Sequence, residues 1–212
     1  MCNEPIRCAL NLAQASSPHH VDRTIMQLSR TSVLVAPVLI LLLFASTLAG
    51  IDRLGFRDVS HFYTPLYDYV AARTSGQWLP LWNPLDHMGL PLIGESSTAV
   101  LYPVRYVIYL LPVSSELAMN LYLLFHLLLA SATAAWLAAS VGCGRLGQCA
   151  AAILYPLSGS VFFLCCNPPF LVGAAWIPLA LGACLGSQPS ERSGKARRRA
   201  IALTAIALSM MI

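Results

Sequence analysis

The sequence predicts an all-α polytopic membrane protein with four full transmembrane helices, the start of a fifth, and a long first loop that carries interfacial helices. Two observations predict this fold class. The chain has 212 residues, of which 57% are hydrophobic and only 10% are charged, whereas a soluble domain carries about 25% charged residues. The apolar residues also form long blocks, as they do in segments that cross a bilayer. We therefore expect the lipid bilayer to be a partner of this chain.

Four apolar blocks have the length of membrane spans, at residues 31–50, 117–141, 149–165 and 170–185. A helix of about twenty residues crosses the ~30 Å hydrocarbon core of a bilayer. Turn signals separate the blocks, because glycines follow the second and Asn167-Pro168-Pro169 ends the third. The last block, residues 200–212, has thirteen residues and would rise only about 20 Å. We expect it to begin a fifth span of a longer protein.

The distribution of arginine and lysine predicts the orientation. Nine of these residues lie in a tail at 1–30, a turn at 142–148 and a basic loop at 187–199, and none lies in the turn at 166–169. Because short cytoplasmic loops are enriched in positive charge, the N-terminus is predicted to be cytoplasmic. The chain then divides into the cytoplasmic tail 1–30 and the transmembrane region 31–212, with an extracytoplasmic loop at 51–116.

The charge and the cysteines exclude two classes of function. The net charge of +4 comes from positive residues that flank apolar blocks, and no basic stripe is interleaved with aromatic residues, so we expect no nucleic acid partner. The seven cysteines form an odd set that lacks the spacing of a zinc site. We expect neither a structural disulfide network nor a metal site built from them.

Six of the nine acidic residues lie in the loop 51–116, so any chemistry is expected there. Thr64-Pro65 predicts a helix start and Gly76 its end. The half-buried face of this interfacial helix is predicted to consist of Leu66, Tyr69, Val70 and Arg73. Residues 77–91 are predicted to be irregular, and residues 99–111 form a second short apolar piece, interrupted by Pro103, that is interfacial or re-entrant.

Three loop and span residues have both a functional and a structural interpretation. If helical geometry extends upstream of Pro65, Asp58, His61 and Asp68 share one face; the structural alternative is that Asp58 caps a turn and His61 fills an interface. His126 lies near the middle of the second span. An ionisable residue inside a membrane is a functional candidate, and a neutral histidine bonded to a neighbouring helix is the alternative.

Several segments occur in a characteristic order: RDVSHFYTPLYDYV, GQWLPLWNPLDHMGLPL, LYPVRYVIYLLP, the histidine-bearing LYLLFHLLLA, and LYPLSGSVFFLCCNPPFLVGAAWIPLAL. In this order and spacing the chain resembles the YfhO-like bacterial membrane proteins, which are similar to GT-C glycosyltransferases that use polyprenyl-phosphate-linked sugars. The resemblance covers about residues 31–186. Its most specific part is GQWLPLWNP at Gly76–Pro84.

The resemblance implies a multi-pass protein of the bacterial inner membrane that transfers a sugar from a polyprenyl-phosphate donor to an extracytoplasmic acceptor. Asp58 matches the loop acid that acts as catalytic base or metal ligand in GT-C enzymes. Arg57 and Val59 flank this acid, where many members of the superfamily have a second acid, so the resemblance leaves a divalent cation open. The candidate residues for the donor phosphate or the cavity are Arg57, His61, Arg73, Arg105 and His126.

Two other classes of function remain open. Ion-coupled transporters and flippases usually carry charged residues inside their spans, and the four predicted spans contain none. A non-catalytic membrane accessory protein would not need the carboxylate of Asp58. Replacement of this residue by asparagine therefore distinguishes an enzyme from an accessory protein.

Overall fold

A computed structural model describes residues 30–74, 76, 79–85, 88–186 and 194–210 of the chain. This part is mainly helical, which confirms the predicted fold class in its coarse form. The predicted tail at 1–30 lies almost wholly outside the described residues. In chain order the helices are α1 (Arg30–Leu43), α2 (Ala45–Leu48), α3 (Thr64–Thr74), α4 (Pro103–Tyr109), α5 (Ser115–Ser140), α6 (Arg145–Leu157), α7 (Gly159–Phe163), α8 (Pro168–Gly186) and α9 (Gly194–Ser209).

Within the described ranges, three helical segments are long and apolar enough to cross a membrane: Ser115–Ser140, Arg145–Cys166 and Pro168–Leu185. They coincide with the second, third and fourth predicted spans and begin two to four residues earlier. The earlier starts have local causes. Ser114 caps α5 by accepting a hydrogen bond from the Leu117 N–H at 3.3 Å, and Pro168 occupies the first position of α8, where a missing N–H is tolerated.

The first and last apolar blocks differ from the prediction. The block at 31–50 contains α1 and α2, and the fourteen residues of α1 rise only about 21 Å, so its crossing of the membrane stays a prediction. The last helix begins at Gly194 rather than at residue 200. The second half of the predicted basic loop 187–199 is therefore helical, because alanine, lysine and arginine are strong helix formers.

Helix α5 lies at the centre of the bundle and packs against α1, α6 and α8, while α9 packs against α8. Two contacts between α5 and α8 are tight. The Thr133 hydroxyl donates to the Ala175 carbonyl at 2.8 Å, and a Cβ at Gly182 would lie 2.4 Å from the Trp136 ring. Residue 182 must therefore be glycine for the two helices to approach this closely.

The loop helix begins earlier than predicted. A π-helical turn at Val59–Tyr63 runs directly into α3, so Thr64 lies inside a continuous helical segment and not at its N-cap. The i→i+5 bonding of the π turn changes the helical repeat and rotates the buried face away from the predicted one. Leu66 and Tyr69 are only half-buried and Arg73 is exposed. The buried residues are Val59, Tyr63, Tyr67 and Val70.

The rest of the loop folds back on α3 and α5. A small antiparallel ribbon pairs β1 (Trp82–Asn83) with β2 (Leu90–Pro91) in the stretch that was predicted to be irregular. Residues 103–109 form α4 with Pro103 at its first turn, so this proline starts the helix and does not interrupt it. Val70, Leu92 and Val100 form a small core beneath the ribbon.

Asn120 on α5 fixes the start of the loop to the bundle. Its Oδ1 accepts from the Leu54 N–H at 3.0 Å, and its Nδ2 donates to the carbonyls of Asp52 at 2.9 Å and Thr47 at 3.4 Å. The side chain is buried, so these bonds satisfy an amide that has no access to water. They determine where the chain leaves α2 and approaches Asp58.

Candidate functional site

A cavity of about 670 Å³ lies between the loop and the ends of α8 and α9. Its lining is mixed: the loop segment from Glu95 to Thr98 is polar, whereas Phe170, Val172 and Met210 are apolar. A cavity with both kinds of lining residue suits an amphiphilic molecule, which has a polar group and an apolar part.

Four tyrosines form part of the cavity wall: Tyr63, Tyr67, Tyr102 and Tyr122. The rings of Tyr67 and Tyr122 meet edge to face with centroids 5.5 Å apart. The Tyr63 hydroxyl donates to Asn167 Oδ1 at 2.9 Å. By contrast, the buried hydroxyls of Tyr67 and Tyr122 have no hydrogen-bond partner apart from each other. The wall therefore contains both satisfied and unsatisfied donors.

Arg105 lies in the core next to these tyrosines. It is fully buried, its Nε donates to the Ala99 carbonyl at 2.9 Å, and its Cζ lies 4.2 Å from the centre of the Tyr106 ring. Apart from Tyr106, its two terminal nitrogens have no hydrogen-bond partner among the described residues. Burial lowers the pKa of the guanidinium, although arginine remains a cation in proteins. Arg105 does not line the cavity, so its predicted role as a direct phosphate ligand has no support in this geometry.

His126 on α5 contacts the loop through the hydroxyl of Tyr102, which also contacts α8. Its Nδ1 donates to the Tyr122 carbonyl at 2.7 Å, and its Nε2 accepts from the Tyr102 hydroxyl at 2.8 Å. The Trp176 indole N–H donates to the same hydroxyl at 3.1 Å. Burial raises the pKa of Tyr102 to about 12, so its hydroxyl keeps its proton and can donate. This pattern fits a neutral histidine, the structural alternative for this residue.

The other predicted site residues lie on the surface. Asp58, Arg57, His61 and Arg73 are all exposed. Arg57 has a φ of 54°, and Arg73 lies over the Tyr69 ring with its Cζ 5.3 Å from the centroid. None of these residues lines the cavity. Asp58 alone among them influences a residue of the cavity wall: burial and, secondly, the charge of Asp58 raise the pKa of Tyr63.

The sequence prediction omitted the residues that form the cavity wall, above all Tyr67, Tyr102 and Tyr122. The sequence does contain a signal that could have identified these residues, because seven of the eight tyrosines lie between residues 63 and 122. Asn167, which directly precedes α8, also lines the cavity. Asn120 does not line it and satisfies backbone groups at and after the end of α2.

Within the described ranges, no group of three or more histidine, cysteine, aspartate or glutamate side chains is arranged to hold a metal ion. Asp58 would be a single protein ligand, and a divalent cation there would take its remaining ligands from water or from a substrate phosphate. A search of family models, curated proteins and solved structures finds no match to this chain.

Proposed function

We propose that this protein transfers a sugar from a polyprenyl-phosphate donor to an acceptor at the extracytoplasmic face of the bacterial inner membrane. The proposal includes a cytoplasmic N-terminus and four crossings of the membrane, the first of them at residues 31–50. It rests on the resemblance to GT-C enzymes and on one observation above all. The cavity between the loop and the helix ends is lined by both polar and apolar residues, as a lipid-linked donor requires.

Asp58 acts as the general base in this proposal. The acceptor hydroxyl oxygen attacks the anomeric carbon of the donor, and its proton passes to the Asp58 carboxylate. The bond between the anomeric carbon and the phosphate oxygen breaks, and polyprenyl phosphate leaves with the electron pair. The effect of Asp58 on Tyr63 supports this role, because it brings the charge of the acid to a residue of the cavity wall.

Replacement of Asp58 by asparagine tests the assignment. The full-length protein in liposomes is incubated with a polyprenyl-phosphate sugar, and transfer to water or to an extracted envelope acceptor is measured. Loss of a general base lowers the rate by roughly 10²–10⁴-fold, while membrane insertion is preserved. The control is Asp52→Asn, which removes another exposed carboxylate of the same loop and should leave transfer unchanged. Equal transfer by the wild type and by Asp58→Asn would refute the catalytic assignment.

A non-catalytic, lipid-binding accessory protein is the second candidate. The observation that favours it is the exposure of Asp58, His61 and Arg73 outside the cavity. In this case the cavity would bind a lipid-linked molecule without converting it. Binding of a polyprenyl-phosphate sugar that is unaffected by Asp58→Asn, together with no transfer by the wild type, would support this function.

A further inference from the structure

The floor of the cavity contains hydrogen-bonding groups that the protein itself does not satisfy. Tyr67 and Tyr122 are both fully buried and both line the cavity, and their hydroxyls have no hydrogen-bond partner apart from each other. Only one hydroxyl of such a pair can donate to the other, so at least one O–H remains without an acceptor, and a buried donor without an acceptor is destabilising. The pair therefore indicates a position for a ligand atom that accepts hydrogen bonds.

The charge behind these hydroxyls specifies the kind of acceptor. The guanidinium of Arg105 and the hydroxyl of Tyr122 both act on Tyr67, and they offset part of the rise in the Tyr67 pKa that burial causes. Arg105 lies against the Tyr106 ring and forms no ion pair with a carboxylate in the part of the chain that the structure describes. Neutral donors next to a buried, unpaired cation favour an anionic acceptor, since hydrogen bonds to charged oxygens are about twice as strong as neutral ones.

We infer that Tyr67 and Tyr122 form a phosphate subsite in which their neutral hydroxyls donate to an anionic phosphate oxygen, while Arg105, which does not line the cavity, stabilises that charge without contacting it. The inference rests on the proposed function, because it identifies the residues that bind the phosphate of the donor. It differs from the sequence prediction in that tyrosines, and not arginines, make the contact.

Two comparisons with the rest of the cavity support this assignment. The Tyr63 and Tyr102 hydroxyls already have partners within the protein, so they have less capacity for a ligand. Glu95, also in the lining, is acidic and would repel a phosphate from the loop side. The phosphate therefore fits at the tyrosine floor and not at the acidic rim.

A binding experiment with the full-length protein in dodecyl maltoside micelles tests the inference. The probes are undecaprenyl phosphate, undecaprenol and inorganic phosphate, and calorimetry measures the dissociation constant of each. The variants are Tyr67→Phe and Tyr122→Phe, which keep the rings and remove the hydroxyls. The matched control is Tyr69→Phe, since the Tyr69 hydroxyl is also buried without a partner but does not belong to the cavity.

We expect each cavity variant to weaken undecaprenyl phosphate binding roughly ten- to hundredfold, the effect of one lost hydrogen bond to a charged group. Tyr69→Phe and the binding of undecaprenol should not change, and the melting temperature of each unliganded variant should be equal to or above that of the wild type. If inorganic phosphate also binds, and if Tyr67→Phe and Tyr122→Phe weaken its binding as well, free phosphate is a second source of the ligand.

The outcomes separate this inference from the proposed function. If the wild type binds undecaprenyl phosphate with an affinity that neither tyrosine variant changes, the phosphate subsite is refuted and the proposed function stands. If the wild type does not bind the lipid at all, both are refuted. A fall in melting temperature for unliganded Tyr67→Phe or Tyr122→Phe would assign the hydroxyls to the structure and also refute the inference.

Discussion

The interior of the helix bundle and the junction between the bundle and the loop are both buried, but they differ in how their polar groups are satisfied. In the bundle the hydroxyls of Thr133 and Tyr155 donate to the carbonyls of Ala175 and Ala174, each at 2.8 Å. Eight buried side-chain atoms lack a partner in the part of the chain that the structure describes, and seven belong to residues of the loop or to Tyr122, which faces it. The eighth is the Ser131 hydroxyl, inside the bundle.

This difference separates a region that is complete without a ligand from one that is not. Membrane helices associate through close packing and satisfied polar groups, and the contact of α5 with α8 follows this rule. The junction combines a cavity, aromatic rings and unsatisfied donors. A tightly packed or hydrogen-bonded side chain in the bundle should therefore affect stability, and an unsatisfied hydroxyl that lines the cavity should affect ligand binding while leaving stability unchanged.

The largest effect is expected at Gly182, where the bundle has no spare volume. Gly182→Val places side-chain atoms inside the contact distance of Trp136 and Ser140 and should lower the free energy of unfolding by about 3 kcal/mol, at the upper end for overpacking. The control is Gly173→Ala in the same helix, where no heavy atom lies within 4 Å of an added Cβ. Unfolding in mixed micelles measures both. Equal stability of the two variants would contradict a tightly packed interior.

A smaller effect is expected at Asn120, which joins the two regions. Asn120→Ala removes the partners of the Leu54 N–H and of the Asp52 carbonyl and should destabilise the fold by about 1–3 kcal/mol. Trypsin should also cut more rapidly after Arg53. In the control Ser131→Ala, the lost hydroxyl has no partner, so unfolding and cleavage should be unchanged. Unchanged cleavage in Asn120→Ala would show that the loop does not depend on this residue.

The smallest effect is expected for two tyrosines of the loop that differ in whether their hydroxyl has a hydrogen-bond partner. Tyr102→Phe removes the donor to His126 and the acceptor of the Trp176 N–H, so the free energy of unfolding should fall by about 1–2 kcal/mol. Tyr109→Phe removes a buried hydroxyl that has no partner, and stability should stay the same or rise. If the free energy of unfolding falls equally in both variants, satisfied and unsatisfied hydroxyls at the junction do not differ in their contribution to stability.

The sequence predicts the bundle better than the junction, for physical reasons. Apolar length and the Asn167-Pro168-Pro169 break identify α5 to α8, because a span depends on local composition. The buried face of the loop helix depends on a π turn at Val59–Tyr63, which no residue pattern announces. The cavity could not be predicted for a similar reason. Charged residues such as Arg73 are conspicuous in the sequence, whereas the tyrosines of the cavity wall depend on contacts with α5. Tyr67 and Tyr122, for example, are 55 positions apart in the chain.

Photo-crosslinking tests most directly the central claim that the junction holds a phosphate-bearing lipid. A polyprenyl phosphate with a diazirine beside its phosphate is irradiated with the full-length protein, and mass spectrometry maps the adducts. We predict adducts on Tyr67, Tyr122 and residues 92–102, which excess unlabelled polyprenyl phosphate abolishes. Adducts confined to the exposed apolar residues of α1, such as Leu34 and Leu42, and unaffected by competitor, would contradict the claim.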